Sequence, residues 1–141
     1  MEITHYSTPS EILQCFDLMA MLRPKLLSKE AFIVQVQRQQ QQGYALLGVT
    51  NATMPLALAG YRCMENFIHG RFCYVDDLIT HPTVRGQGYA KNLLDSLGKL
   101  AFEKGCQRMV LDTGLSNKTA QKFYQQVGYT TTGYHLYRDL Y

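Results

Sequence analysis

The sequence lacks any apolar run as long as the ~18 residues that a membrane-spanning helix needs. Its first residues, Met1-Glu2-Ile3-Thr4-His5, also lack the basic and apolar regions of a signal peptide. Both absences speak against a membrane partner and make the cytoplasm the expected location. The four cysteines, Cys15, Cys63, Cys73 and Cys106, include no Cys-x-x-Cys pair, and each lies in or beside apolar sequence. They read as reduced core thiols and not as metal ligands. The histidines at 5, 69, 81 and 135 show no ligand spacing either, so no metal is expected. A basic block is missing: 14 Lys and Arg against 11 Asp and Glu leave a net charge of +3, which makes no case for nucleic acid. That mild positive potential suits an anionic small ligand and equally suits many ordinary domains. With no repeat or linker, and with 46% hydrophobic and 18% charged residues, the 141 residues read as a single globular domain, 1–141.

What is present is an alternation of strand and helix signals. Glu2 to Tyr6 alternates as a short strand does. Ser7-Thr8-Pro9 supplies a capping hydroxyl and a first-turn proline to a helix whose apolar stripe is Ile12, Phe16, Met19 and Ala20. Ser28 caps a second helix with Phe32, Ile33 and Val36 on its face, and the glutamines 39–42 form its solvated last turn before Gly43. Tyr44 to Thr50 and Leu56 to Met64 read as strands joined by a turn at 51–55, and Phe72 to Thr80 as a third strand of the same meander. A third helix follows from Ala90 to Lys104, then a strand at Arg108 to Asp112 and a fourth helix at Lys118 to Val127. Tyr129 to Tyr141 is the expected last strand. The order β-αα-βββ-α-β-α-β predicts an α/β (α+β) fold with a mixed, mostly antiparallel central sheet flanked by helices.

The stretch from Phe72 to Ala101 organises the rest. Its apolar strand carries two consecutive acids, Asp76-Asp77, and then breaks at His81-Pro82. Arg85-Gly86-Gln87-Gly88-Tyr89-Ala90 runs from there into a helix with Ala90, Leu93, Leu94, Leu97, Leu100 and Ala101 on one face. Backbone N–H groups at a glycine-opened helix start converge on one point and hold a phosphate well. A bare strand-to-helix turn has the same sequence. A P-loop is excluded because Ala90-Lys91-Asn92 stands where Gly-Lys-Ser/Thr is required, and a dinucleotide fold is disfavoured by the missing third glycine.

Arg85-Gly86-Gln87-Gly88-Tyr89-Ala90 resembles the Gln/Arg-x-x-Gly-x-Gly/Ala motif of the GNAT superfamily of acyl-CoA-dependent N-acyltransferases. The resemblance extends upstream through Tyr74-Val75-Asp76-Asp77-Leu78-Ile79-Thr80-His81-Pro82. Downstream, Asn117-x-x-Ala120-x-x-Phe123-Tyr124-x-x-x-Gly128-Tyr129 is similar to the family's second signature. Ala90 and Tyr129 are small departures that the pattern tolerates. What this implies is an enzyme of bacterial type that moves the acetyl group of acetyl-CoA to a primary amine by direct attack in a ternary complex. The acceptor would be a small-molecule amine or an amine of a protein or peptide. A catalytically inactive acyl-CoA-binding sensor on the same fold is the alternative, and a homodimer through the final strand is a further expectation.

The resemblance also implies the roles of individual residues. Arg85, Gly86, Gln87, Gly88, Tyr89 and Ala90 would grip the CoA pyrophosphate, with Lys91 near the phosphates. Leu78, Ile79 and Thr80 would pair with the pantetheine arm, and the Ile79 amide would polarise the thioester carbonyl. Asn117 would contact the CoA arm, or simply cap its helix. Tyr124 would protonate the departing thiolate. Asp76 would take the acceptor's proton, through water given its short side chain, with Asp77 as the second candidate. Period-two geometry sends adjacent strand residues to opposite faces, so one acid is expected on each side of the sheet. Both could instead be structural and pair with Arg62 or Arg71. Arg23 and Lys25, between the first two helices, would touch an acidic part of the acceptor or simply form an exposed basic turn. His81 reads as a turn residue and Cys73 as core.

Overall fold

The computed structural model describes residues 2–52 and 54–141; Met1 and Thr53, the middle of the expected 51–55 turn, lie outside the described residues. Two compact units are distinguished, the first ending at Val110 and the second running Leu111–Tyr141.

In the first unit, β1 (Glu2–Tyr6) leads to three helices, α1 (Pro9–Gln14), α2 (Phe16–Leu22) and α3 (Lys29–Gln40). Thr8 and Glu11 form a reciprocal capping box with Pro9 in the first turn, which fixes where α1 starts. The single helix expected here is divided at Cys15, which ends α1 and begins α2. Its N–H tightens onto the Ile12 carbonyl at 2.9 Å, while its thiol reaches back to the Glu11 carbonyl at 3.8 Å. A side chain inserted into the carbonyl ladder is an ordinary cause of a helix break. Ser28 caps α3 by accepting from Ala31 N–H, and the glutamine turn closes at Gly43, whose φ of +87° only glycine adopts freely.

The strands β2 (Ala45–Thr50), β3 (Pro55–Asn66) and β4 (Gly70–Thr80) then form an antiparallel meander. A 3-10 turn at Pro82–Val84, helix α4 (Tyr89–Glu103) and strand β5 (Arg108–Leu111) follow. The five strands lie in the sheet in chain order, β1-β2-β3-β4-β5. Neighbouring strands joined through a helix run parallel, so the sheet is mixed, as the element order requires.

Side-chain alternation divides the core. Leu46, Leu58 and Ile79 join Tyr6, Ile12, Cys15, Leu18, Met19, Phe32, Val36 and Tyr44 in one cluster beneath α1 to α3. The alternate positions Leu47, Ala57, Ala59, Tyr61, Val75 and Cys73 are buried on the other face. Helix α4 packs on that face of β2 to β4 through Leu93, Leu94, Leu97 and Ala101.

The second unit holds α5 (Lys118–Gln126) and the C-terminal segment. The strand expected from Tyr129 to Tyr141 is not formed: this segment has no regular structure, and residues 130–141 are exposed. A strand exists only as part of a ladder, and this unit offers no other complete strand to pair with. No described helix is long and apolar enough to cross a membrane.

Candidate active site

The β3–β4 register places the acids. Gly60 pairs with Asp77 and Tyr61 with Val75, which leaves Asp76 as an extra, unpaired residue in β4. This is a β-bulge, and it suspends the two-residue alternation. Val75 and Tyr61 face α4, whereas Asp77 and Asp76 both turn toward the α1–α3 side. The expectation of one acid on each face is therefore corrected by the bulge.

Both acids enter one network. The Tyr44 hydroxyl donates to Asp77 Oδ2 at 2.7 Å. Arg23, at the C-terminal end of α2, meets Asp77 Oδ1 at 2.9 Å through Nη2 and donates from Nη2 to the Asp76 carbonyl, also at 2.9 Å. Arg62 Nε donates to Asp76 Oδ2 at 2.9 Å, and its guanidinium lies 5.4 Å from the centroid of the Tyr44 ring. Gly60 makes room for this arrangement: a Cβ there would collide with the Tyr44 hydroxyl and lie 2.6 Å from Asp77 Oδ2. Of the two expected basic partners, Arg62 fills the role and Arg71 instead donates to the Lys104 carbonyl. Arg23 engages the acids themselves. Tyr44 and Gly60 were not singled out by the sequence reading.

Burial raises the Asp76 carboxyl above its ordinary value, outweighing the pull of Arg62 in the other direction. Its Oδ1 makes no hydrogen bond to the protein among the described residues. Burial, with the negative charge of Asp77 beside it, pushes the Tyr44 phenol far up, so it stays a donor at every physiological pH. The two carboxylates thus differ in chemistry: both Asp77 oxygens are engaged, and Asp76 keeps one clear.

Beyond the acids, Leu78, Ile79 and Thr80 pair with Ala59, Leu58 and Ala57. The Ile79 side chain packs in the helix-side core, and its backbone faces β3, two residues along the ladder from His81, whose N–H donates to the Leu56 carbonyl at 2.7 Å, so the outward-facing backbone groups are those of Leu78 and Thr80. His81 is a turn residue, accepting from Thr83 N–H through Nδ1. The loop from Arg85 to Gly88 is exposed, and Gly86 and Gly88 have φ of +80° and +85°. Helix α4 begins after Gly88 with no side-chain cap. The first-turn N–H groups at Tyr89, Ala90 and Lys91 therefore lack intrahelical acceptors at the positive end of a 15-residue helix. No neighbouring atom lies within 4 Å of where a Cβ would sit on either glycine. Arg85 and Gln87 flank the opening, and Lys91 pairs with Asp95 at 2.8 Å one turn on.

In the second unit, Asn117 caps α5, its Oδ1 accepting from Ala120 N–H at 3.1 Å. Tyr124 is half-buried, with ring centroids 5.4 Å from Phe123 and 5.7 Å from Tyr129. Burial raises its phenol, which keeps the hydroxyl protonated and able to donate.

A strand carrying acids, followed by a glycine-opened helix, is the arrangement on which the resemblance to the GNAT superfamily rests. The chain belongs to the Acetyltransferase (GNAT) family, whose pattern it matches over residues 13–129. It is 28% identical over 130 residues to the uncharacterized N-acetyltransferase YhdJ of Bacillus subtilis, covering 91% of each chain. It is 30% identical over 73 residues to the thialysine N-epsilon-acetyltransferase of Bos taurus, covering 49% of this chain and 43% of that one. Its fold matches an aminoglycoside N-acetyltransferase, AAC(6')-Iy, solved in complex with CoA, with a TM-score of 0.85 at 19% identity over 99% of this chain and 93% of the other. The protein is an N-acyltransferase.

Proposed function

We propose that this enzyme, acting as one domain over residues 1–141, transfers the acetyl group of acetyl-CoA to the primary amine of a small molecule by direct attack in a ternary complex. The observation that carries the reading is the bulge at Asp76, which gathers two carboxylates on one face of the strand that leads into the uncapped start of α4. The loop fits a pyrophosphate: its glycines adopt φ values that leave the backbone exposed, its N–H groups lack acceptors, and Arg85 adds a full charge. Arg85 to Lys91 hold the phosphates, and the backbone of Leu78 to Thr80 pairs with the pantetheine arm. Asn117 contacts that arm while capping α5.

Asp76, with its raised carboxyl and clear Oδ1, takes a proton from the acceptor ammonium through water. Asp77, engaged by Tyr44 and Arg23, fixes the local geometry. The neutral amine attacks the thioester carbon, and an N–H of the Leu78 to Thr80 stretch that faces away from β3 stabilises the oxyanion. As the carbon–sulfur bond breaks, Tyr124 gives its proton to the thiolate. A small amine is the acceptor this reading favours, because Asp76 keeps one oxygen clear while Arg23 and Arg62 balance the charge of the pair. Relatives named for thialysine and aminoglycosides act on acceptors of that kind. The four free thiols suit a reducing, cytoplasmic setting. The exposed side chains of Tyr134, Leu136, Tyr137 and Leu140 give the C-terminal segment the character of a strand awaiting a second copy, which supports a homodimer.

The test is thiol release from acetyl-CoA against a panel of diamines, amino acids, aminoglycosides and basic peptides, with CoA-induced thermal stabilisation measured alongside. Turnover on a small amine is expected. CoA at ~100 times its dissociation constant adds roughly 2.7 kcal/mol to a fold that binds it. Absence of both signals refutes the reading, and turnover on peptides alone refutes the acceptor class.

A further inference from the structure

Three of the four cysteines gather at one place, away from the groups assigned to acetyl transfer. Cys63 in β3 stands directly opposite Cys73 in β4. Antiparallel partners have Cα atoms about 4.5–5.5 Å apart, inside the roughly 4.4–6.8 Å that a disulfide spans. Cys106 joins them from the turn after α4, where Gln107 N–H donates to the Arg71 carbonyl at 2.7 Å. Cys63 lies close enough to both Cys73 and Cys106 to raise the thiols of each. Cys73 and Cys106 are buried, at 0% and 5% exposure, whereas Cys63 is partly open to solvent. One partly accessible thiol therefore neighbours two enclosed ones.

We propose that Cys63 is the entry point of a thiol oxidation site, closing an intramolecular disulfide with one of its two buried neighbours when a low-molecular-weight disulfide is present. The Cys63 thiolate attacks one sulfur of the oxidant, whose own S–S bond breaks and releases one thiol. The neighbouring thiol then loses its proton and attacks the Cys63 sulfur of the mixed disulfide, releasing the second thiol. Two protein thiols are oxidised and one small disulfide is reduced to two thiols, so electrons and protons balance. Burial pushes the Cys73 thiol up to about 12, which makes closure slow at neutral pH and faster as pH rises. The site is one residue from Arg62, the partner of Asp76, so oxidation acts on the strand pair that carries the acids.

The experiment incubates the folded full-length chain with oxidised glutathione, alkylates it under denaturing conditions and maps non-reduced peptides by mass spectrometry. The expected result is a fall from four alkylatable thiols to two, a mass lower by two hydrogens, and a cross-linked peptide that contains Cys63. Cys63→Ser abolishes the cross-link, and Cys15→Ser leaves it intact. Should Cys63→Ser fail to fold, Cys63→Ala and the wild-type peptide map decide the matter. Four free thiols after treatment, a stable glutathione adduct without closure, a link lacking Cys63, or a link only between chains overturns the proposal.

Discussion

Gly60→Ala is the sharpest test of the acid network, because the new methyl group has nowhere to go. It would collide with the Tyr44 hydroxyl and stand 2.6 Å from Asp77 Oδ2, two groups that hold each other at 2.7 Å. Overpacking a closed site costs about 1–3 kcal/mol. Separating the phenol from the carboxylate removes a hydrogen bond to a charged group, about 1.5–3 kcal/mol more. A combined loss of about 2.5–6 kcal/mol follows. With an unfolding entropy of roughly 2.1 cal/mol/K per residue, the melting temperature falls by about 8–20 °C. Urea denaturation and a thermal melt measure both quantities. Tyr44→Phe alone loses about 1.5–3 kcal/mol, because it leaves Asp77 Oδ2 without its donor while keeping the ring beneath Arg62. Combined with Gly60→Ala it also removes the clashing hydroxyl, so the double variant loses less than the sum of the singles by at least ~1.5 kcal/mol. Additivity within ~0.5 kcal/mol, or a Gly60→Ala melt within ~3 °C of wild type, would sink the argument that these groups share one space.

Gly88→Ala forces a methyl-bearing residue to φ +85° where there is otherwise open space, so stability drops by about 1–2 kcal/mol. CoA-induced stabilisation weakens with it, as a CoA titration followed by thermal shift will read. Tyr124→Phe lowers kcat by about 10²–10⁴-fold and leaves CoA stabilisation in place, if its hydroxyl is the proton donor. An unchanged kcat under conditions where chemistry limits turnover rules that role out. For Asp76 the sign follows from its raised carboxyl. The folded state binds the proton more tightly than the unfolded one, so the fold is relatively favoured at low pH. That advantage is lost as pH climbs above 3.8 through the higher folded value. Urea denaturation from about pH 3.5 to 6 reads this as the difference between wild type and Asp76→Asn, since Glu11 and Glu30, whose carboxyls are held low, give the fold the opposite slope in both proteins. Sedimentation of the full chain and of a variant ending at Tyr129 tests the homodimer; equal mass for both at all concentrations argues against it.

Much of this architecture is legible in residue order. The capping hydroxyls of Thr8 and Ser28, the stop at Gly43 and the apolar stripe of α4 are local signals, and local geometry decides them. So is the glycine loop, since Gly86 and Gly88 take φ values that most other residues avoid. The division of the first helix at Cys15 is different. A thiol turned back onto the Glu11 carbonyl leaves no periodic trace, because Ile12, Leu18 and Met19 stay on one face either way. The last segment fails for the opposite reason: its residues have strand character, but strand formation depends on a partner backbone that composition does not report.

The acid pair shows where the physics of pairing overrules the physics of a single strand. Asp76-Asp77 taken alone obeys the period-two rule and divides between the faces. The register decides otherwise, because β4 spends one residue more than β3 between Val75 and Asp77. The signal was in the opposite strand. A glycine inside an otherwise apolar strand marks either a bulge or a close approach of other groups, and Gly60 marks both. Leu58-Ala59-Gly60-Tyr61 leaves, at one position on the helix side, the space that a tyrosine hydroxyl and a carboxylate then share. The bulge puts a second carboxylate beside the first, which two like charges tolerate only with cations present. Arg62 comes from β3 and Arg23 from α2, far apart in sequence and drawn to the same pair. Arg23 thereby ties the helical layer to the bulged strand, its guanidinium seated 2.9 Å from Asp77 Oδ1.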